Sequence, residues 1–392
     1  MPAENHFRHQ TYSSADPTSP VELLTPDAPA DSSAEPRDAL AAAGDVFRQA
    51  GVRHLFLLHG TFAGNDALGL FRAVDRLFPE VGDVLRDLGK RTVDQLVGEA
   101  GNYTEAYAHA LQSGLSSAQQ SVEVRRFLWS SENRHLARAD AAVRLADALA
   151  QLDRQPNDRV MLWGHSHAGN VLALLTNLLA ADASTREKFF SIGRSYFRWP
   201  RRGAERTLWR RVEETLADPR GPLANLPLDI VTFGTPVRYG WDFGGYRRLM
   251  HFIHHSPAIE RHPCRAAFPP ASSVLISGSS DFIQQIGVAG TDFPPTLLAW
   301  NAWTAEQRFE RFLSPDLPRT QLWQRLCLGQ RVHAEGHTLL VDYGLQEGTP
   351  AHHLMGHAVY TRQSWLPFHL RQIARVFYHE TAPIDAEKGN SP

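Results

Sequence analysis

Short apolar runs separated by helical patterns constrain the fold of this chain more than any other feature. Six runs have the length of strands, and they cover residues 53–59, 121–129, 159–163, 228–233, 273–277 and 337–342. Their apolar residues are nearly continuous rather than alternating, which is typical of strands buried on both faces of a sheet. Helical patterns lie between them, as at residues 137–152 and 170–181. The alternation predicts an α/β fold with a mostly parallel central sheet flanked by helices.

The two ends of the chain differ from this pattern in composition. Residues 1 to about 40 contain six prolines and many serine, threonine and alanine residues, and the residues from 383 onward are similar. Such segments bury too little apolar surface to offset the entropy lost on ordering. We therefore expect a disordered tail at 1–40, one α/β domain at 41–382 and a flexible C-terminus at 383–392.

Charge and hydropathy exclude several classes of protein. The 40 basic residues nearly balance the 42 acidic ones, so bulk attraction to nucleic acid is not expected. No apolar run reaches the roughly 18 residues that a membrane-spanning helix needs. Met1–Gln10 carries no apolar signal segment. These features favour a cytoplasmic protein, although export by a route without such a signal would leave no mark here.

A serine motif follows the third apolar run. The segment Gly164-His-Ser-His-Ala-Gly169 is close to the G-x-S-x-G pattern, with Ala168 in the last position and Gly169 next to it. A long apolar helical pattern begins directly afterwards. A strand that passes straight into a helix forces the serine onto a strained turn and exposes its hydroxyl at the helix N-terminus. Ser166 is therefore the predicted nucleophile, and the alternative is a serine that only caps the helix.

The first apolar run ends at His59-Gly60-Thr61-Phe62, which we interpret as an oxyanion loop. A tetrahedral oxyanion needs two backbone amides about 3 Å away, placed before the reaction begins. One amide is predicted to come from His167, directly after the nucleophile. The other is predicted to come from Thr61 or Phe62, with Thr61 preferred. The alternative interpretation is an ordinary turn at the end of a strand.

The pairing of HGTFAGND at 59–66 with GHSHAGN at 164–170 resembles the α/β-hydrolase fold in its lipase and esterase branch. Residues 127–134 before a helical pattern and Thr232-Phe-Gly-Thr-Pro236 after a strand are similar to further elements of that family. The resemblance covers roughly residues 50 to 380. It implies a catalytic triad in the chain order serine, acid, histidine. The antiparallel hairpin that usually begins this fold is not evident, so a sheet of about six strands is expected.

The resemblance also indicates where the acid should lie, namely after the strand that comes two places beyond the nucleophile strand. With residues 273–277 as that strand, Asp281 is the predicted acid. Asp292 is an alternative further along the chain. Asp242 is another, because some lipases that resemble this chain place the acid after the preceding strand. Each of these aspartates could instead cap its own loop.

The base should follow the last strand of the sheet. His357 lies just before a final helical pattern and is the predicted base, while His353 and His352 are alternatives. A serine is a weak nucleophile unless a histidine oriented by a carboxylate activates it. The sequence therefore predicts a serine hydrolase that cleaves carboxylic esters of small molecules or lipids through an acyl-enzyme, with no cofactor. A thioesterase or amidase with the same triad, or a catalytically silent binding protein, is the alternative.

Residues 182–226 are too many for a simple crossover, and we expect them to form a helical cap over the nucleophile. Leu208, Val212 and Leu216 form one apolar stripe that Trp209 widens. A basic, aromatic cap of this kind could touch an anionic lipid surface. Packing on its own domain is the interpretation we favour. Residues 296–325, which are rich in tryptophan, are a second candidate cap element.

The histidine content raises the question of a metal site, because the chain has 19 histidines. His251, His254 and His255 fit helical spacing, but no acidic partner completes a zinc pattern, and no H-E-x-x-H is present. No G-x-G-x-x-G motif is found either. The sequence therefore predicts neither a bound metal nor a nucleotide cofactor.

Overall fold

The computed structural model describes residues 7, 19–27, 35–60, 102–197, 203–256, 264, 280–287, 300–313, 331–346, 353–354 and 356–379. Its strands are β1 (Val21–Leu24), β2 (Val52–Leu58), β3 (Glu123–Phe127), β4 (Arg159–His165), β5 (Leu228–Phe233), β6 (Arg248–His254) and β7 (His337–Val341). They form one seven-stranded sheet in the order β1-β7-β6-β5-β4-β2-β3. Every neighbouring pair is parallel. The predicted α/β class with a parallel central sheet is confirmed.

Helices cover both faces of this sheet. They are α1 (Glu35–Gln49), α2 (Glu105–Leu115), α3 (His135–Ala150), α4 (Ala168–Ala180), α5 (Ala183–Phe197), α6 (Gly203–Ala217), α7 (Phe282–Gly287), α8 (Trp300–Leu313) and α9 (Leu366–Ala374). Neighbouring residues of a strand point to opposite faces. Leu162 therefore belongs to the core cluster that includes residues of α3 to α6 and α8, whereas Trp163 belongs to the cluster on the other face, with residues of α1, α2 and α9. This is why the central strands are continuous apolar runs.

Between β2 and β4 the direction in which successive strands are added to the sheet reverses. From β2 the chain passes through α2, on one face, to the edge strand β3, and from β4 it passes through α4, on the other face, to β5. Loops that leave two adjacent parallel strands toward opposite faces open a crevice at the carboxyl ends of those strands. Gly60 follows β2 and Ser166 follows β4 at this crevice.

Strand β6 was not predicted, because two histidines interrupt its apolar run. His251 and His254 are buried within this strand. The Nδ1 atom of His251 lies 2.6 Å from the hydroxyl of Thr232, and Nδ1 of His254 lies 3.2 Å from the carbonyl of Gly356. Their helical spacing in the sequence was therefore misleading. The strand predicted at 273–277 lies outside the described residues.

Within residues 1–40, where the composition predicts a disordered tail, the structure has strand β1 (Val21–Leu24) and the start of α1. Val21–Leu24 pairs in parallel with the edge of β7. Glu22 accepts from Arg375 at 2.7 Å, and its Oε1 lies 2.7 Å from Nε2 of His337. These backbone and side-chain bonds stabilise a short strand whose own composition does not favour order. Phe7 is also buried, with its ring 4.9 Å from that of Phe312. Residues 383–392, predicted to be a flexible C-terminus, lie outside the described part of the chain.

The insertion at 182–226 contains α5 and α6. The predicted stripe of α6 is buried at Trp209, Val212 and Leu216, where the helix packs on α3 and α5. The ring of Trp209 stacks on Phe189 at 5.6 Å, and its Nε1 donates to Asp140 at 2.8 Å. The apolar face of α6 is thus occupied by its own domain. Among the described residues, no helix combines the length and apolarity required to cross a membrane.

The second candidate cap element contains α8, which also packs on α5. The carboxylate of Glu306 accepts from the backbone N–H of His135 at 2.6 Å and of Leu136 at 2.9 Å. A carboxylate in this position satisfies amides that lack partners at a helix N-terminus. α8 therefore fixes the start of α3.

Candidate active site

The backbone of Ser166 is strained where β4 passes into α4. Its φ angle is +56°, in a region that residues other than glycine rarely occupy. The backbone N–H of Ser166 donates to the carbonyl of Phe233 at 2.8 Å, and the hydroxyl of Thr235 donates to the carbonyl of Ser166 at 2.9 Å. Strain of this kind persists only where the surroundings impose it. The segment after β5 therefore holds the serine turn in place.

Two close approaches around this turn require glycine. A Cβ atom on Gly169 would lie 2.0 Å from Oγ1 of Thr235, and one on Gly60 would lie 2.6 Å from Cβ of Ser166. Ala168, which stands where the pattern usually has its second glycine, is simply buried. The small residue that the turn requires on its α4 side is therefore Gly169. Gly60 brings the end of β2 against the serine.

The loop after β2 is fixed by its first residue. His59 is buried, and its Nδ1 lies 3.0 Å from the carbonyl of Gly60 and 3.1 Å from the hydroxyl of Ser131. The indole of Trp129 donates to the carbonyl of His59 at 2.9 Å. Burial lowers the pKa of His59, so its ring favours the neutral form.

The structure locates one of the two predicted oxyanion donors. His167 lies directly after Ser166, as the cap residue of α4. The amides of a first helical turn lack partners within the helix and lie at the positive end of its dipole. Thr61 and Phe62 lie outside the described residues. Gly60, the last described residue before them, lies against Ser166.

The predicted acid and base lie in direct contact. Nδ1 of His357 lies 2.9 Å from Oδ1 and 2.8 Å from Oδ2 of Asp281. Both side chains are fully buried. His357 opens the 3₁₀ helix His357–Thr361 after β7, and Asp281 precedes α7. The backbone N–H of Asp281 donates to the carbonyl of His254 at 3.2 Å, so the acid lies at the carboxyl end of β6.

The alternative residues take other roles or lie outside the described residues. Asp242 caps the 3₁₀ helix Phe243–Gly245 and accepts from the N–H of Gly244 at 2.9 Å. Nδ1 of His353 accepts from the N–H of Gly356 at 3.3 Å. Asp292 and His352 are not among the described residues.

Gly234 connects the serine to the acid–base pair. It follows Phe233, whose carbonyl binds Ser166, and its φ angle is +57°. A Cβ atom there would lie 2.5 Å from Oδ2 of Asp281 and 3.1 Å from Cε1 of His357. Among the described residues the buried hydroxyl of Ser166 makes no hydrogen bond. Catalytic hydrogen bonds are often loose before substrate binds.

Three donors hold the carboxylate of Asp281 ionised. Burial is the largest single influence and raises its pKa, but the charge and hydrogen bond of His357, the N–H of Gln284 and the hydroxyl of Tyr360 together outweigh burial and keep the pKa below its usual value. The N–H of Gln284 donates to Oδ1 and the hydroxyl of Tyr360 to Oδ2, each at 2.8 Å. An ionised carboxylate on Nδ1 selects the imidazole tautomer in which Nε2 can accept a proton.

Arg331 is a buried residue of this site that the sequence did not reveal. Its guanidinium donates to the carbonyls of His254 and Asp281, each at 3.1 Å, and to the hydroxyl of Ser280 at 3.0 Å. Burial lowers its pKa, and the charge of Asp281 opposes this effect. Arg331 therefore joins the end of β6 to the acid loop. No local pattern marks it, because its contacts are about 50 or more residues away in the chain.

No family model, curated protein or solved structure shows a significant match to this chain. The function must therefore be inferred from the geometry of the site. Among the described residues, no group of three or more His, Cys, Asp or Glu side chains is placed to hold a metal ion.

Proposed function

We propose that this protein is a serine hydrolase of α/β-hydrolase type that cleaves carboxylic esters with Ser166, His357 and Asp281. One observation carries the proposal. Ser166 sits on a strained strand-to-helix turn, and the neighbour of Gly234 binds that turn. Gly234 itself lies so close to the buried His357–Asp281 pair that a Cβ atom on it would meet both side chains. A nucleophile, a base and an orienting carboxylate are thus gathered at the carboxyl ends of β4, β5 and β6. A seryl nucleophile requires these three groups.

In the first half-reaction, Oγ of Ser166 attacks the acyl carbonyl carbon while Nε2 of His357 takes the hydroxyl proton. Asp281 accepts from Nδ1 and stabilises the imidazolium that forms. Negative charge develops on the carbonyl oxygen, where the amides of His167 and Thr61 would donate. The tetrahedral intermediate then collapses, and the alcohol leaves with the proton from His357. Ser166 now carries the acyl group.

In the second half-reaction, water attacks the acyl-enzyme as His357 takes one of its protons. Collapse of this second intermediate returns the proton to Oγ of Ser166 and releases the carboxylic acid. No cofactor takes part in either half. The substrate class is a small-molecule or lipid ester, since one acyl carbonyl and one leaving alcohol satisfy the chemistry.

The insertion at 182–226 is proposed to form a cap beside the site. The apolar stripe of α6 faces α3 and α5, which favours packing on the domain over contact with a lipid surface. A lipid ester would then be bound from solution, rather than from a membrane to which α6 had attached.

A fluorophosphonate probe tests the nucleophile, because it reacts only with an activated serine. We expect stoichiometric labelling of the wild type and none of Ser166→Ala. Ser195→Ala is the control, since its partly buried hydroxyl donates within its own helix, to the carbonyl of Ile192 at 2.6 Å. Labelling that survives Ser166→Ala would refute the assignment. A wild type that is folded and never labelled would favour a catalytically silent binding protein.

A series of p-nitrophenyl esters of increasing acyl length tests the substrate class. Hydrolysis that is lost in Ser166→Ala and varies with acyl length supports an esterase. Labelling without ester hydrolysis, together with turnover of acyl thioesters or amides, would instead assign the same triad to a thioesterase or amidase.

A further inference from the structure

Tyr360 contacts the acid of the site without any part in the steps above. Its hydroxyl donates to Oδ2 of Asp281 at 2.8 Å and accepts from the backbone N–H of His254 at 2.7 Å. The side chain is fully buried. Both hydrogen bonds span long distances in the chain, 79 and 106 residues. The hydroxyl therefore joins the acid to the end of strand β6.

The position of Tyr360 follows from the helix that carries it. Residues i and i+3 lie one above the other on a 3₁₀ helix. His357 and Tyr360 have this spacing on His357–Thr361, so both donors meet the same carboxylate. Oδ2 accepts from both, while Oδ1 is also bound by the N–H of Gln284. The carboxylate cannot rotate without losing one of these bonds.

We propose that Tyr360 is a positioning residue that fixes the orientation and spreads the charge of Asp281, and thereby sets the basicity of His357. This inference rests on the proposed hydrolase function. Each hydrogen bond to a carboxylate disperses its negative charge, so less charge faces the imidazole. The hydroxyl also accepts from the sheet, which makes its own proton a better donor. Tyr360 thus couples the acid to a rigid strand.

Other titratable groups face the pair from the elements packed around it. The ring of His165, at the end of β4, lies 4.5 Å from that of His357. His254, at the end of β6, has a pKa lowered by burial to about 4, so it is neutral near pH 7. Arg331 donates to the main-chain carbonyl of Asp281 rather than to its carboxylate. Charge on the carboxylate is therefore adjusted chiefly by its direct donors, which are His357, the backbone N–H of Gln284 and the hydroxyl of Tyr360.

Tyr360→Phe removes the hydroxyl and leaves the ring. We expect kcat for p-nitrophenyl esters to fall about tenfold with KM nearly unchanged, because the loss acts on the transition state. The carboxylate then holds its charge closer to the imidazole and favours the imidazolium. The acidic limb of kcat/KM should move upward by about half a pH unit. The proton shared by His357 and Asp281 should move to lower field in the ¹H NMR spectrum.

Tyr343→Phe is the matched control. Tyr343 is buried, its ring lies 5.9 Å from that of Tyr360, and its hydroxyl binds Nε2 of His369 at 2.8 Å. This variant loses a buried tyrosine hydroxyl in the same region without touching Asp281. We expect the NMR signal and the acidic limb to stay at the wild-type positions.

A second substitution keeps the proposal open to refutation if Tyr360→Phe does not fold. Difluorotyrosine at position 360 keeps the shape and makes the hydroxyl a stronger donor. Burial holds the pKa of Tyr360 well above its usual value, which favours the protonated form of the analogue. We expect the acidic limb and the NMR signal to move in the opposite direction from Tyr360→Phe.

The two readouts separate the two hypotheses. The role of Tyr360 would be overturned if neither change at this position moved the NMR signal and the acidic limb, or if Tyr343→Phe moved them equally. Either outcome would leave the hydrolase proposal intact. A wild type that neither labels nor hydrolyses esters would overturn the proposed function. The NMR signal would then decide alone whether Tyr360 controls the His357–Asp281 bond.

Discussion

Two buried aspartates at opposite ends of the parallel strands each accept from a tyrosine and differ in their nitrogen donors. Asp281 and Asp229 are both fully buried, and each accepts from a tyrosine hydroxyl at 2.8 Å, Tyr360 for the first and Tyr378 for the second. The nitrogen donors differ. Asp281 binds the imidazole of His357, whereas Asp229 binds the guanidinium of Arg159 through two bonds of 2.7 Å.

This difference separates a chemical site from a structural one. A guanidinium stays protonated at any pH a protein survives, so the pair of Arg159 with Asp229 is a permanent link between β4 and β5. An imidazole gains and loses its proton near neutral pH. In the proposed function, a buried carboxylate at the carboxyl ends of the strands supports proton transfer, whereas a similar carboxylate at their amino ends ties two strands together. The titratable partner decides the role.

The largest expected effect comes from Asp281→Asn. The amide would stabilise the wrong imidazole tautomer, and we expect kcat/KM for p-nitrophenyl esters to fall about ten-thousand-fold. The fold should persist, which thermal unfolding can check. Asp292→Asn is the control, because Asp292 is an alternative acid that lies eleven residues further along the chain. Activity retained in Asp281→Asn and lost in Asp292→Asn would show that Asp281 is not the acid that orients His357.

Asp229→Asn should affect stability instead. It would leave Arg159 with one weak acceptor in a mostly buried position, and we expect the free energy of unfolding to fall by about 3 kcal/mol. Chemical denaturation measures this loss. Activity per molecule labelled by fluorophosphonate should equal that of the wild type. A fall in specific activity without a loss of stability would mean that the two ends of the strands are not separate in function.

Sequence patterns predicted the parts of the site that are contiguous in the chain. The run at 159–163, the turn at Ser166 and the helix after it form one local signal, and the structure places all three as expected. Strand β6 was missed because its histidines break the apolar pattern. Asp281 was chosen from a strand at 273–277, yet the described part of the chain places it at the end of β6.

Contacts between distant segments could not be predicted in the same way. Tyr360 and Arg331 lie 79 and 50 residues from Asp281, and neither belongs to a motif. β1 is ordered by the edge of β7, which its own composition cannot indicate. What the sequence lacks is the set of long-range hydrogen bonds that give a buried polar side chain its role.

Glu335 is a third carboxyl group for this comparison, and burial rather than a charged partner has the largest influence on its pKa. Burial raises its pKa to about 7, although backbone N–H groups oppose the shift. Between the unfolded value of 4.5 and about 7 the folded state holds a proton that the unfolded chain has lost, so stability falls as pH rises through this window. Glu335→Gln should raise the free energy of unfolding by about 2 kcal/mol at pH 9 and leave it unchanged at pH 4. A gain that is equal at both pH values would contradict this account.

Tyr378→Phe is the counterpart of Tyr360→Phe and has the smallest expected effect. The variant keeps the ring contacts, with Phe47 at 5.5 Å and the guanidinium of Arg248 at 5.1 Å, and removes one hydrogen bond to Asp229. Arg159 still binds both carboxylate oxygens, so we expect a loss of about 1 kcal/mol in the free energy of unfolding. The acidic limb of kcat/KM should not move, because the charge beside Asp229 is permanent. A shift as large as that of Tyr360→Phe would mean that a tyrosine hydroxyl acts through the whole sheet rather than through the carboxylate it touches.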